Sequence, residues 1–128
     1  VLASRDDASP RLWDVRTVDE YSGAVTLTGA AQPGRIPWAT GRLEWSLFRR
    51  EDGRWRDAAE IRELAAECMD AAPSDGTQHC FYCQSGVRTT QLIFGLARAG
   101  WPLDALLNYD GSWVEWSHVA AAGDICVD

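Results

Sequence analysis

The residues best equipped for chemistry crowd into one stretch, "HCFYCQSGVRTT", from His79 to Thr90. It holds two cysteines spaced C-x-x-C, a loop with a glycine, an arginine, and the start of a helical pattern. Four chemistries use such parts: a dithiol redox pair, a metal clip, a phosphatase loop, and a single nucleophilic thiolate. The run from about Gln78 to Tyr82 reads as a strand. Leu92, Ile93, Leu96 and Ala97 then recur at helical spacing over about 88–99. Cys83 therefore stands at the carboxyl end of a strand, just before a helix N-terminus. Gln84, Ser85, Gly86, Val87 and Arg88 follow it, and Gly86 lets the backbone turn tightly. Successive N–H groups of such a loop face one cup, and the helix dipole adds positive potential there. A thiol at that cup is expected to ionise near neutral pH, with Arg88 as a permanent cation. Cys83 is the candidate nucleophile, and the loop would stabilise an anion on or beyond its sulfur.

The other chemistries fit less well. A dithiol pair needs both sulfurs at one end of a helix. Cys80 lies within the strand, and residues three apart in a strand point to opposite faces, so Cys80 reads as a small buried residue. A zinc site needs three or four protein ligands. His79 and His118 show no paired-ligand spacing, Cys68 falls on the expected core face of a helix, and Cys126 lies in the tail, so no metal is expected. Cysteine phosphatases place one more residue between Cys and Arg than the four that separate Cys83 from Arg88. This cup is too tight for phosphate and suits one extra atom on the sulfur.

The flanking elements alternate between strand and helix. "RLWDVRT", Arg11 to Thr17, reads as a buried strand with Leu12, Trp13 and Val15. A helical turn, "VDEYSG", follows, then a loop punctuated by Gly23, Gly29, Pro33, Gly34, Pro37 and Gly41. "RLEWSLF", Arg42 to Phe48, reads as a second strand. "DAAEIRELAAECMDAA" is the clearest helix: Asp57 caps it, Glu60 reaches back, and Ile61, Leu64, Ala65, Cys68 and Met69 share a face. "LDALLNY" reads as a further strand, and "DGSWVEWSH" as a turn into a short helix. The alternation predicts α/β architecture with a parallel sheet, and a site at the strands' carboxyl ends.

Composition bounds the function. The 128 residues suffice for one domain with its own core, and 46% apolar with 24% charged residues is a soluble globular profile. No apolar run approaches the roughly 20 residues of a membrane span, so no membrane partner is expected. A net charge of −7 argues against nucleic acid. All twelve basic residues are Arg, which excludes lysine chemistry and leaves Arg as the strong cation for an anionic ligand. The chain opens "VLASRDDASP" without Met, the expected look of a processed chain or a piece of a longer one.

Five segments together resemble the rhodanese (sulfurtransferase) family: "LWDVRTVDEYSG", "GRIPWA", "DGRWRDAAEIREL", "FYCQSGVRTTQLIFGLARAGW" and "NYDGSWVEWS". They span about residues 11–118 in the family's order and look most like the C-terminal catalytic domain of tandem bacterial thiosulfate/3-mercaptopyruvate sulfurtransferases. The resemblance implies a single domain over 1–128, with a central parallel sheet of about five strands flanked by helices on both faces. It implies an enzyme that moves sulfane sulfur from thiosulfate, 3-mercaptopyruvate or a persulfide to cyanide or a thiol. The sulfur would travel as a Cys83 persulfide, so no cofactor is required. The alternatives are a non-catalytic interaction module and a protein-to-protein sulfur carrier. A preceding rhodanese domain or a protein sulfur acceptor are candidate partners, in the cytoplasm or periplasm of a bacterium.

The departures from the family concern the donor. Thiosulfate-using members carry basic residues where this chain has Gln84 and Gly86, and an Arg where it has Glu20. Mercaptopyruvate-using members have "GSGVT"-like loops, where "QSGVR" ends in Arg88. Trp38 stands where many members have Gly, and is expected to form a pocket wall. Asp14 and Arg16 read as a buried structural pair. Asp110 and Ser112 either orient the loop or form a turn, with Ser112 expected as the helix N-cap. Trp113 and Trp116 read as core. Arg88 is expected on the substrate side, against the simpler reading of a salt bridge to a neighbouring acid.

Overall fold

The computed structural model describes all of residues 1–128. Four parallel strands form one sheet: β1 (Arg11–Asp14), β2 (Gly41–Arg42), β3 (His79–Tyr82) and β4 (Leu106–Asn108), in the spatial order β2-β1-β3-β4. The helices are α1 (Leu2–Asp7), α2 (Val18–Ser22), α3 (Ala58–Met69), α4 (Thr89–Arg98) and α5 (Ser112–Val119). The sheet is thus one strand short of the expected five. It also contracts at its edge, where "RLEWSLF" contributes only Arg42 to β2 and then winds through turns. Leu47 N–H donates to the Glu44 carbonyl and Arg49 N–H to that of Ser46. With only Trp13 and Asp14 in register against it, the edge strand has no ladder to continue.

Pleating sends alternate residues of the central strands to opposite faces and makes two cores. On one face Trp13, Val15, Phe81 and Cys83 pack with Ile61, Ala65 and Met69 of α3 and with Leu92 and Leu96 of α4. On the other, Leu12, Cys80 and Tyr82 pack with Ile36 and with Trp113 and Trp116 of α5. Helices therefore cover both faces, as a parallel sheet requires. On the first face α4 comes so close to Phe48 that a Cβ on Gly95 would sit 2.7 Å from its ring. His79 is buried on that side and accepts from the Trp13 indole N–H at 3.1 Å. Burial first, and then Arg11, hold its imidazole below its ordinary pKa, against a smaller opposing pull from Asp75. It is a core residue.

The α3 start follows the expectation. Asp57 accepts from Glu60 N–H at 2.9 Å while the Glu60 side chain returns to Asp57 N–H. Its buried row is narrower than expected, being Ile61, Ala65 and Met69 at i, i+4, i+8. Leu64 sits at the edge of that row, and Cys68 is exposed rather than in the core. No helix is long and apolar enough to cross a membrane.

Candidate active site

β3 ends at Tyr82, and the chain from Cys83 to Arg88 curls into the start of α4 at the carboxyl edge of the sheet. Gly86 N–H donates to Cys83 Sγ at 3.2 Å. Burial by itself would raise the Cys83 pKa. The N–H groups of Thr89, Ser85, Gly86 and Arg88 overcome it, and the net shift is downward from the ordinary thiol value. The amides of this loop are therefore aimed at the sulfur. Cys83 is only 1% exposed, so the sulfur lies at the floor of the loop.

The loop is held from below and behind. Its Gly86 carbonyl accepts from Thr89 Oγ1 at 2.7 Å and from Asn108 Nδ2 at 3.2 Å. Gly86 has φ +83°, and a Cβ there would lie 2.8 Å from the Asp110 carbonyl oxygen and 2.9 Å from Asp110 Oδ1. Only glycine fits this turn. Cys83 N–H donates to Ser112 Oγ at 3.1 Å, and that hydroxyl donates to the Tyr109 carbonyl at 2.7 Å. Trp113 N–H and Val114 N–H donate to the Cys83 and Gln84 carbonyls at 2.9 and 3.0 Å. The free donors at the α5 N-terminus thus hold the cysteine loop in place. Ser112 is not the N-cap: Gly111 takes that position, and Ser112 is the first helical residue with φ +50°. This strained backbone sits where its hydroxyl can reach the loop. Gln84 bridges to Thr28 through Nε2 at 3.3 Å, while Ser85 and Val87 are exposed on the outside of the turn.

Two arginine–carboxylate pairs flank the site. Arg16 bonds Asp14 through Nη2 and Oδ2 at 2.6 Å and through Nε and Oδ1 at 3.0 Å. Its Nη2 also donates to the Gly34 carbonyl at 2.7 Å, and its guanidinium lies 4.6 Å from the Trp113 ring centroid. This pair is sealed and structural, anchoring β1 to the following loop and to α5. Arg88 instead reaches α2, where both its terminal nitrogens meet the Glu20 carboxylate at 2.9 Å. Burial would raise the Glu20 pKa, but the Arg88 hydrogen bonds and those from Thr17 bring it down to about 2. Arg88 keeps partial exposure, and its pKa is raised, by Glu20 first and to a smaller degree by Cys83. The structure shows the simpler reading, a salt bridge, with Glu20 as the acid.

Trp38 is corrected. Its indole donates to the Val1 carbonyl at 3.1 Å, stacks edge-on to Trp116 at 5.7 Å, and carries Arg5 at 5.4 Å from its ring. It packs under α1 in the core of Leu12, Cys80 and Tyr82, whereas Cys83 belongs to the core on the other face of the sheet, so Trp38 is a core residue rather than a pocket wall. Sequence reasoning gave no role to Glu20, Thr89 or Asn108. Thr89 and Asn108 carried one usable signal, a polar residue at a helix start and at a strand end facing the same loop.

The Rhodanese-like domain family model matches residues 1–118. The chain belongs to this family. It is 37% identical to the thiosulfate sulfurtransferase of Corynebacterium glutamicum, over 84% of this chain and 36% of that protein. It is 35% identical to SseA of Mycobacterium tuberculosis, over 92% of this chain and 41% of the relative. The chain thus spans about two fifths of the length of these relatives. Among solved structures, EanB bearing ergothioneine covalently linked with a persulfide cysteine superposes with TM-score 0.75. The identity is 27%, covering 94% of this chain and 29% of EanB. Tum1 of Saccharomyces cerevisiae superposes at 0.77 with 20% identity, covering 98% of this chain and 43% of that one, and this likeness shows the fold alone.

Proposed function

We propose that the chain is a sulfurtransferase domain that carries sulfane sulfur as a persulfide on Cys83. The observation that supports this most is the Gly86 N–H at 3.2 Å from Sγ, within a set of loop amides that lower the pKa of a buried thiol. The Cys83 thiolate attacks the outer sulfur of a donor, the donor's S–S bond breaks, and the remainder leaves with the electron pair. The loop amides of Gln84 through Arg88 then hold the charge on the terminal sulfur. A thiophilic acceptor such as cyanide or a thiol removes that sulfur and restores the thiolate, a ping-pong cycle with a covalent intermediate. The names of the bacterial relatives and the persulfide cysteine of EanB favour the same chemistry. On this reading no cofactor takes part. Cys83 is the catalytic residue, Gln84, Ser85, Gly86, Val87 and Arg88 form the anion-binding loop, and Ser112, Asp110 and the Asp14–Arg16 pair support it.

The test is mass spectrometry of the protein after incubation with sulfur donors. One added sulfur atom on Cys83, removed by cyanide as thiocyanate, is the expected result. Labelling that persists in Cys83→Ser refutes the role of Cys83. A second reading, a non-catalytic interaction module, draws on the near-complete burial of the sulfur. It predicts no labelling from any donor.

A further inference from the structure

The charges around the sulfur are unusual for a site that handles anions. Three arginines around the loop are each matched by a carboxylate: Arg16 by Asp14, Arg88 by Glu20, and Arg42 by Glu44. Arg88, the cation at the end of the Cys83 loop, is held by both oxygens of a buried carboxylate. Asp110 adds a further negative charge. Its Oδ1 packs against Gly86, whose N–H points at the sulfur, and it belongs to no ion pair. Arg88, Glu20 and Asp110 together sum to −1 before the thiolate is counted. The loop itself contributes no other cation, since Gln84, Ser85, Gly86 and Val87 are uncharged.

We propose that Glu20 and Asp110 make this site select against dianionic sulfur donors and for a hydropersulfide whose organic body is neutral or positively charged. This rests on the Cys83 persulfide reading and names its substrate class. In the favoured reaction Cys83 Sγ⁻ attacks the outer sulfur of R–S–SH. The Sγ–S bond forms, the inner S–S bond breaks, and R–S⁻ leaves with the electron pair. The proton stays on the transferred sulfur until solvent takes it, and no external oxidant is consumed. Thiosulfate would instead bring two negative charges to a thiolate beside a loop whose charged groups, Arg88, Glu20 and Asp110, already sum to −1. Such like-charge encounters are slow and are relieved by salt, because screening weakens the repulsion.

The experiment measures loading of Cys83 by mass spectrometry for four donors: the hydropersulfides of cysteamine, 2-mercaptoethanol and 3-mercaptopropionate, and thiosulfate. Each rate is divided by that donor's rate with free cysteine. The expected order runs from cationic through neutral and anionic to thiosulfate, with roughly tenfold or more between the extremes. The thiosulfate rate should rise with ionic strength and the 2-mercaptoethanol rate should stay flat. In Glu20→Gln, and independently in the exposed-site variant Asp110→Asn, the thiosulfate-to-cysteamine ratio should rise several-fold. Thiosulfate equal to or faster than the cysteamine donor, or a ratio unchanged in both variants, overturns the inference and leaves the persulfide reading intact. Loading from no donor at all overturns the persulfide reading and this inference with it.

Discussion

Cys80 and Cys83 sit three residues apart on one segment, both sheltered from water at 6% and 1% exposure, yet their thiols shift in opposite directions. Burial pushes both up, because a thiolate loses more than a thiol on leaving water. At Cys80, packed under Trp113 and Trp116, burial prevails. At Cys83 four N–H groups of the following turn point at the sulfur, and they prevail. The difference lies in position along the strand. Cys80 is inside the ladder, where the backbone N–H groups are engaged by neighbouring strands. Cys83 is one residue past the strand's end, where the chain turns and its amides become free to face a side chain. The opposite shifts come from backbone direction rather than from exposure.

The comparison breaks most sharply by mutation of the sulfurs themselves. Cys83→Ser should lower sulfur transfer by roughly a thousandfold or more, since the covalent intermediate is lost. Cys80→Ala should keep transfer within a few-fold and cost only packing energy. Steady-state thiocyanate release measures both, and comparable losses in the two variants would erase the distinction.

The next largest effect removes the turn rather than the sulfur. Gly86→Ala forces a Cβ against the Asp110 backbone at a φ of +83°. The loop must shift and its amides leave the sulfur, with an expected loss of about a hundredfold in turnover while Cys80 is untouched. An upward shift in the pH midpoint of Cys83 ionisation is the accompanying signature.

Glu20 sharpens the comparison through pH. Folded Glu20 titrates near 2, against its ordinary 4.5. Its contribution, about 3 kcal/mol, is therefore complete above the higher value and is lost as pH falls towards the lower one. Urea unfolding from pH 6 down to about pH 3 should show this acid loss in the wild type and a shallower one in Glu20→Gln. The smallest effect belongs to Ser112→Ala, which leaves the buried Cys83 N–H without its acceptor. A destabilisation of about 1–3 kcal/mol is expected, read from denaturant midpoints.

Much of this was legible in the sequence because it depends on neighbours along the chain. The order strand, Cys83, tight loop, helix follows from local periodicity and one glycine, and α3 announces itself through Asp57 and Glu60. What stayed hidden depends on distant partners. Glu20 and Arg88 are 68 residues apart, so nothing local marks them as a pair. Ser112 has the composition of an N-cap, but its role is set by the Cys83 N–H that the sheet brings to it. Trp38 read as a wall because its segment matched a family loop, whereas its ring packs under α1, a helix the sequence did not advertise. "RLEWSLF" carries strand-like alternation and still turns away, since an edge strand persists only where a neighbour continues the ladder.

The central claim is that loop amides, against the pull of burial, hold the Cys83 pKa below that of an ordinary thiol. The most direct measurement is the ultraviolet thiolate absorbance of the wild type minus that of Cys83→Ser, titrated across pH with the protein folded. The account predicts a midpoint below the roughly 8.5 of a free cysteine, with Cys80→Ala giving the same curve as the wild type. A Cys83 midpoint at or above that of a free cysteine would contradict it.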